Sequence, residues 1–354
     1  MKRRVPDPPP VLHSSTGTPL VATTGTVSVR LVNGVLGDPL AEIRVRGLRR
    51  RLLLDLGEAI GLSRRELHAV TDVFLTHAHF DHICGFLSLL RARIDGGSGA
   101  CRIFGPPGIG GHIAGFVGGI HWDRIENDGP AFLVAEVGDC DIAWQRIQPG
   151  RASAGLAPEP TTNRTLLDGG RLGVSCIRLD HGIPVLAFAV SVPGRLKVRE
   201  DRLQKSGYPP GPWLGDLKLL AASGSDAAMI TMPDGTDQPV GTLRQRLLEA
   251  LPATRVVYAT DFADTPGNRE CLIGFAAEAD LLICESTFRR ADRGKALETR
   301  HLTTDACGTI ARAARVARLL PFHFSKRYVH DLNAVYREIE ASAGETEVIR
   351  AERR

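Results

Sequence analysis

Aromatic residues are scarce in this chain. Phe, Tyr and Trp make up 5% of its 354 residues, so the core must rest on Leu, Val, Ile and Ala. No C-x-x-C pair occurs either. The seven cysteines (Cys84, Cys101, Cys140, Cys176, Cys271, Cys284 and Cys307) are odd in number and widely spaced. That argues against a disulfide framework and against a cysteine zinc site. They read as small packing residues in a reducing compartment, with Cys84 close enough to the histidine cluster described below to be checked against it. No apolar run approaches the ~18 residues of a membrane span. The basic start, Met1-Lys2-Arg3-Arg4, runs into Val5-Pro6-Asp7-Pro8-Pro9-Pro10 rather than an apolar segment, so no secretory signal is expected. The expected location is the cytoplasm, without a membrane partner. A strong charge bias is also absent. Lys and Arg number 44 against 40 Asp and Glu, a net +4, which permits a polyanionic partner without demanding one.

What remains is the composition of a soluble globular protein, 43% hydrophobic and 24% charged, long enough for one large domain or two ordinary ones. Residues 1–25 read as a loose tail rich in Pro, Ser and Thr, and 26–354 as the folded domain. Strand patterns occur at 26–33, 41–46, 52–55, 73–75 and 103–104, and again at 131–137, 141–147, 172–179 and 185–192. Helical patterns follow at 63–70, 85–93 and 109–119. After residue 255, strands at 256–258, 281–284 and 319–322 alternate with helices at 267–278, 304–316 and 331–342. Two halves of this kind predict an α/β fold, a four-layer αββα sandwich of two sheets with helices outside. Residues 193–218 stand apart. They carry Pro193, Pro209, Pro210 and Pro212, with six basic residues against three acidic ones, and read as a protruding arm of net charge +3. A plain solvated loop is the competing reading.

The most informative stretch is Thr76-His77-Ala78-His79-Phe80-Asp81-His82, directly after the apolar Val73-Phe74-Leu75. His77, His79, Asp81 and His82 are four possible metal ligands on the loop leaving a strand. Imidazole and carboxylate donors suit Zn²⁺, with Mn²⁺ or Fe as competitors. Three more candidates stand where later strands end: His181, Asp261 and His323. Any one of these alone reads equally as a cap or a satisfied polar residue. Together they divide as His77, His79 and His181 for one ion, Asp81, His82 and His323 for another, and Asp261 as the bridge. Two such ions about 3.5–4 Å apart would hold a hydroxide between them at neutral pH and stabilise a displacement. Glu285 and His301 have the chemistry to pass a proton to a leaving alkoxide. Arg327, Ser325 and Lys205 are candidates for phosphate contact.

These residues resemble the metallo-β-lactamase superfamily, and more closely its ribonuclease Z (tRNase Z) family. The H-x-H-x-D-H motif at 77–82 and the chain order of His181, Asp261 and His323 carry the first resemblance. The second rests on Phe104-Gly105-Pro106-Pro107-Gly108-Ile109, on Pro193-Gly194-Arg195-Leu196 with Gly207–Pro212 and Leu217-Lys218, and on Cys284-Glu285-Ser286-Thr287. His301-Leu302-Thr303 with Ala306, and Phe322-His323-Phe324-Ser325-Lys326-Arg327-Tyr328, are similar to its later motifs. Thr260 replaces the family's usual Gly before the bridging Asp. The resemblance spans about 52–340. It implies a metallo-β-lactamase fold and a zinc endoribonuclease that removes 3′ trailers from precursor tRNA through a metal-bound hydroxide. It also implies that Asp81 is a candidate general base, that Glu285 and His301 assist the leaving group, and that the arm holds RNA. A homodimer in which one subunit's arm serves the other's site is expected from the same resemblance. Two other functions compete. One is hydrolysis of a small phosphodiester, aryl sulfate or lactone, which would need no arm. The other is nucleic-acid binding without catalysis, which would not require a full ligand set.

Overall fold

The computed structural model describes residues 17–94, 99–125, 129–161 and 164–351. Among these residues, two large sheets of ten and seven strands face each other. The first runs antiparallel from Leu20–Thr24 through Val27–Leu31 and Ala41–Val45 to Arg51–Leu54. It continues parallel through Asp72–Phe74, Cys101–Gly105 and Phe132–Val137. The second centres on Gly173–Asp180, Pro184–Val192, Thr254–Ala259, Leu281–Glu285 and Arg318–Phe322.

Period-two alternation assigns each strand residue to a layer. Phe74 and Phe104 point between the sheets, where they meet Phe188, Tyr258 and Phe322. Their neighbours Val73 and Ile103 point outward, under Phe86, Leu89 and Ile113 of the covering helices. Phe74 and Phe104 stack with centroids 4.9 Å apart. The expected four-layer sandwich is the fold observed. No described helix is long and apolar enough to cross a membrane.

Two boundaries differ from expectation. The tail was set at 1–25, yet Leu20–Thr24 is a strand, paired residue for residue with Val27–Leu31 about a turn at Gly25 (φ 54). Its weak apolar content hid it, because only Ala22 is buried, with Leu20 partly packed against the core. Residues 1–16 of that tail lie outside the described residues. The arm is also larger than 193–218. Arg195–Val198 pairs antiparallel with Leu248–Leu251, and everything between belongs to one appended unit. Its helices Trp213–Ala222 and Val240–Leu247 bury Trp213, Leu217 and Ala221 against Val240, Leu243 and Leu247. Those i, i+4, i+8 and i, i+3, i+7 spacings mark helices with an apolar face. Proline and charge had drawn the boundary too early. Over the whole of 195–251, eight basic residues meet seven acidic ones, so the net charge is +1, with five of the basic residues in 195–205.

Candidate active site

The strands Arg51–Leu54, Asp72–Phe74, Gly173–Asp180, Thr254–Ala259, Leu281–Glu285 and Arg318–Phe322 all end at the same pole of the sandwich. Three residues just past these ends take left-handed backbone: Asp55 (φ 55), Asp261 (φ 53) and His323 (φ 57). For side chains other than glycine this conformation costs roughly 1–3 kcal/mol each, and it persists where packing dictates it.

The turns bring the predicted ligands together in two groups. His77, His79, His181 and Asp261 form one, and Asp81, His82, Asp261 and His323 the other. Within each group the donor atoms lie within 4.8 Å of one another. Asp261 belongs to both. Its Oδ2 is 3.2 Å from His82 Nε2 and 3.9 Å from His77 Nε2, and its Oδ1 is 3.3 Å from His323 Nδ1. Asp81 Oδ2 lies 3.6 Å from both His82 Nε2 and His323 Nε2.

These spacings fit divalent metal. Ligands ~2.0–2.1 Å from a tetrahedral ion lie ~3.3 Å from one another. His77 Nε2 is buried with no hydrogen-bond partner, and it points at Asp261. A donor placed in that way has a role only if something else binds it. Burial, reinforced by His82, lowers the His77 pKa to about 2, so the ring is neutral and able to ligate. Burial likewise lowers His181, though Asp261 opposes it. For Asp261, burial works upward, but His323 and His82 outweigh it and hold the carboxyl well below its ordinary range. Asp81 is lowered to about 2, because the hydrogen bond to His323 and the charge of His82 overcome burial.

The sequence reading passed over the residues behind these ligands. Asp55 is fully buried and accepts from His82 Nδ1 (2.9 Å), Tyr258 OH (2.9 Å), Thr76 N (2.7 Å) and Thr76 Oγ1 (2.9 Å). It fixes the His82 tautomer and leaves Nε2 facing Asp261. Burial works to lower the His82 pKa, but Asp261 and Asp55 outweigh it and raise it well above normal. The only signal for Asp55 was a carboxylate closing the apolar run Leu52–Leu54. Asn268 clamps the start of the His181 loop, accepting from Asp180 N at 3.0 Å and donating to Asp180 O at 2.8 Å. His181 Nδ1 donates to Arg300 O at 2.9 Å.

Beside the ligands lies a third group, Glu285, His301 and His323. Glu285 is fully buried. It accepts from Phe262 N (2.9 Å), Thr287 Oγ1 (2.7 Å), Leu302 N (3.1 Å) and His301 Nδ1 (3.0 Å). Two of these partners face the site: His301, and Thr287, whose Oγ1 is also 3.2 Å from His323 Nδ1. Both residues are expected from the sequence to take part in proton transfer; of the two, His301 is partly exposed and Glu285 is enclosed behind it. Burial works to lower the His301 pKa, but the Glu285 carboxylate outweighs it and holds the imidazole up at about 9.

The remaining candidates are scattered. Arg327 pairs with Asp292 at 3.0 Å, bonds Ser325 Oγ at 3.2 Å and lies 5.3 Å from the Phe288 ring centroid. Lys205 is exposed in the arm helix Glu200–Ser206. Cys84 faces Asp38 Oδ2 at 3.8 Å and stands outside the ligand groups.

A two-sheet sandwich with this pole of histidines and aspartates defines a metallo-β-lactamase-type metal site, and the metallo-beta-lactamase superfamily model matches residues 45–161. The chain is 30% identical over 282 residues to Ribonuclease Z of Deinococcus radiodurans, covering 78% of this chain and 83% of that protein. It is 28% identical over 300 residues to Zinc phosphodiesterase ELAC protein 1 of Homo sapiens, covering 78% of each. The Bacillus subtilis metallo-beta-lactamase fold protein YhfI superposes with a TM-score of 0.53 at 17% identity, over 92% of this chain and 96% of that one, a likeness of fold alone. The chain belongs to the ribonuclease Z family.

Proposed function

We propose that the protein is a metal-dependent endoribonuclease that removes 3′ trailers from precursor tRNA, with two Zn²⁺ ions bound and as a homodimer. The observation that carries this is the sharing of Asp261 by two ligand groups, with the Glu285-held His301 beside them. The relatives named Ribonuclease Z and zinc phosphodiesterase support RNA as the substrate class. Bound divalent ions supply Lewis acidity and a water that ionises near neutrality.

The chain's own residues do the rest. His77, His79 and His181 would hold one ion, Asp81, His82 and His323 the other, and Asp261 both. Asp81 is the partly exposed carboxylate of this set, and it would take a proton from the attacking water. His301 uses Nδ1 for Glu285, which leaves Nε2 for the substrate. The phosphorus–O3′ bond breaks, O3′ takes the His301 Nε2 proton, and the tRNA keeps a 3′-hydroxyl while the phosphate stays on the trailer. Arg327, Ser325 and Lys205 are assigned to phosphate contact.

Incubation with one unprocessed tRNA and Zn²⁺ or Mn²⁺ tests the reading. A single cut at the trailer junction, leaving a 3′-hydroxyl, is expected. Turnover of small phosphodiesters without any RNA cleavage would defeat it.

The arm supplies a second test. Arg195 and Leu251 are directly paired, so their Cα atoms lie ~5 Å apart and a short Gly-Ser link replaces 195–251 without stretching the body. The shortened protein should keep cooperative melting and cut a small chromogenic phosphodiester, yet lose most precursor-tRNA cleavage. Mixing it with an intact-armed His301→Ala protein should restore cleavage if one subunit's arm serves the other's site. Undiminished tRNA cleavage by the armless protein would remove the arm from RNA handling.

A further inference from the structure

Arg300 ends the helix Arg293–Thr299 in left-handed backbone (φ 59), a conformation that disfavours any residue with a side chain. Its carbonyl takes the Nδ1 hydrogen of His181 at 2.9 Å, so this backbone is tied to the ligand shell. Its side chain folds back across the next loop. A Cβ built on Gly182 (φ 83) would stand 1.1 Å from Arg300 Nη1, and that nitrogen lies 3.4 Å from His181 O. The missing side chain of Gly182 is therefore the seat of the guanidinium. That seat adjoins His181, whose ring is 5.0 Å from that of His301.

The cation is exposed there, and among the described residues no carboxylate pairs with it. Two acids on neighbouring loops have other partners: Asp180 Oδ1 accepts from Gly182 N, and Asp264 pairs with Arg269 and Arg293. A glycine at 300 would carry the same backbone without strain. An arginine held in a disfavoured conformation, seated on a glycine and left without an acid, needs an anion from outside. Its planar fork suits a phosphate.

We propose that Arg300 binds an RNA phosphate on the leaving-group side of the cut, the phosphodiester immediately 5′ to the scissile one. The side follows from adjacency: His301 protonates O3′, and the nucleotide bearing that O3′ carries this phosphate at its other end. The proposal rests on the nuclease reading above and adds a positioning contact to it.

Arg300→Gly is the informative variant, because it keeps the left-handed backbone and the carbonyl that serves His181. Metal content and melting temperature should hold. On a minimal RNA substrate, kcat/KM should fall about 10- to 100-fold, mostly in KM, with the salt slope of log KM reduced by about 0.7. Arg300→Lys should recover part of the loss. A second RNA carries a neutral methylphosphonate at the phosphate 5′ to the cut, and on it wild type and Arg300→Gly should be equally slow. Full activity of Arg300→Gly on normal RNA would overturn the proposal. So would an equal loss on both RNAs, which a purely structural role predicts. A wild type that cuts neither RNA would bring down the nuclease reading itself, and this proposal with it, whereas the first two outcomes leave that reading intact.

Discussion

Asp261→Asn should lose RNA cleavage by about 10³-fold or more, some 4 kcal/mol of transition-state stabilisation, and should purify with less than its full metal content. Asn is the right replacement because it tolerates the left-handed backbone at φ 53, whereas Ala would add strain unrelated to chemistry. One carboxylate faces His82 and His77 with Oδ2 and His323 with Oδ1, so its charge serves both ligand groups. The neutral amide keeps the shape, including the oxygen that Thr260 Oγ1 reaches at 2.7 Å, and removes that charge. Melting should stay cooperative, since Asp55, Thr76 and Tyr258 still fix His82 from behind. Metal analysis and single-turnover cleavage together check this. Near-normal turnover with two ions bound would remove Asp261 from the bridging position.

His301→Ala is the second large effect. Loss of a positioned general acid costs on the order of 10²–10⁴-fold. Here metal content should not change, because His301 is a member of neither four-ligand group and spends Nδ1 on Glu285. A substrate whose scissile O3′ is replaced by sulfur separates the roles. A thiolate leaves without a proton, so the penalty should shrink to a few-fold on that RNA. Glu285→Gln should show the same dependence on leaving group, but more weakly, because it acts through the imidazole. A His301→Ala defect of the same size on both substrates would mean that the ring does not deliver a proton.

The seven candidate ligands were legible for two different reasons. His77, His79, Asp81 and His82 are dense in six residues, and such density has few structural uses. His181, Asp261 and His323 were legible only as polar residues where apolar runs stop. Asp55 met that same criterion and was still missed, because its partners Thr76, His82 and Tyr258 lie 21, 27 and 203 residues away. The arm was half legible. Proline and charge marked 193–218, while the apolar spacing of Val240, Leu243 and Leu247 that closes its core carried no such flag.

By itself the sequence determined which atoms could bind metal and which strands alternate into a two-sheet core, since both depend on residue type and local period. Only the tertiary structure decided that one carboxylate lies within reach of both candidate ligand groups, that Glu285 bonds His301, and that Gly182 leaves room for Arg300. Each of these joins positions on different elements, Asp261 and Gly182 through left-handed backbone after a strand and Arg300 through left-handed backbone after a helix. Such contacts depend on how separate elements pack against one another, and short-range pattern cannot register them.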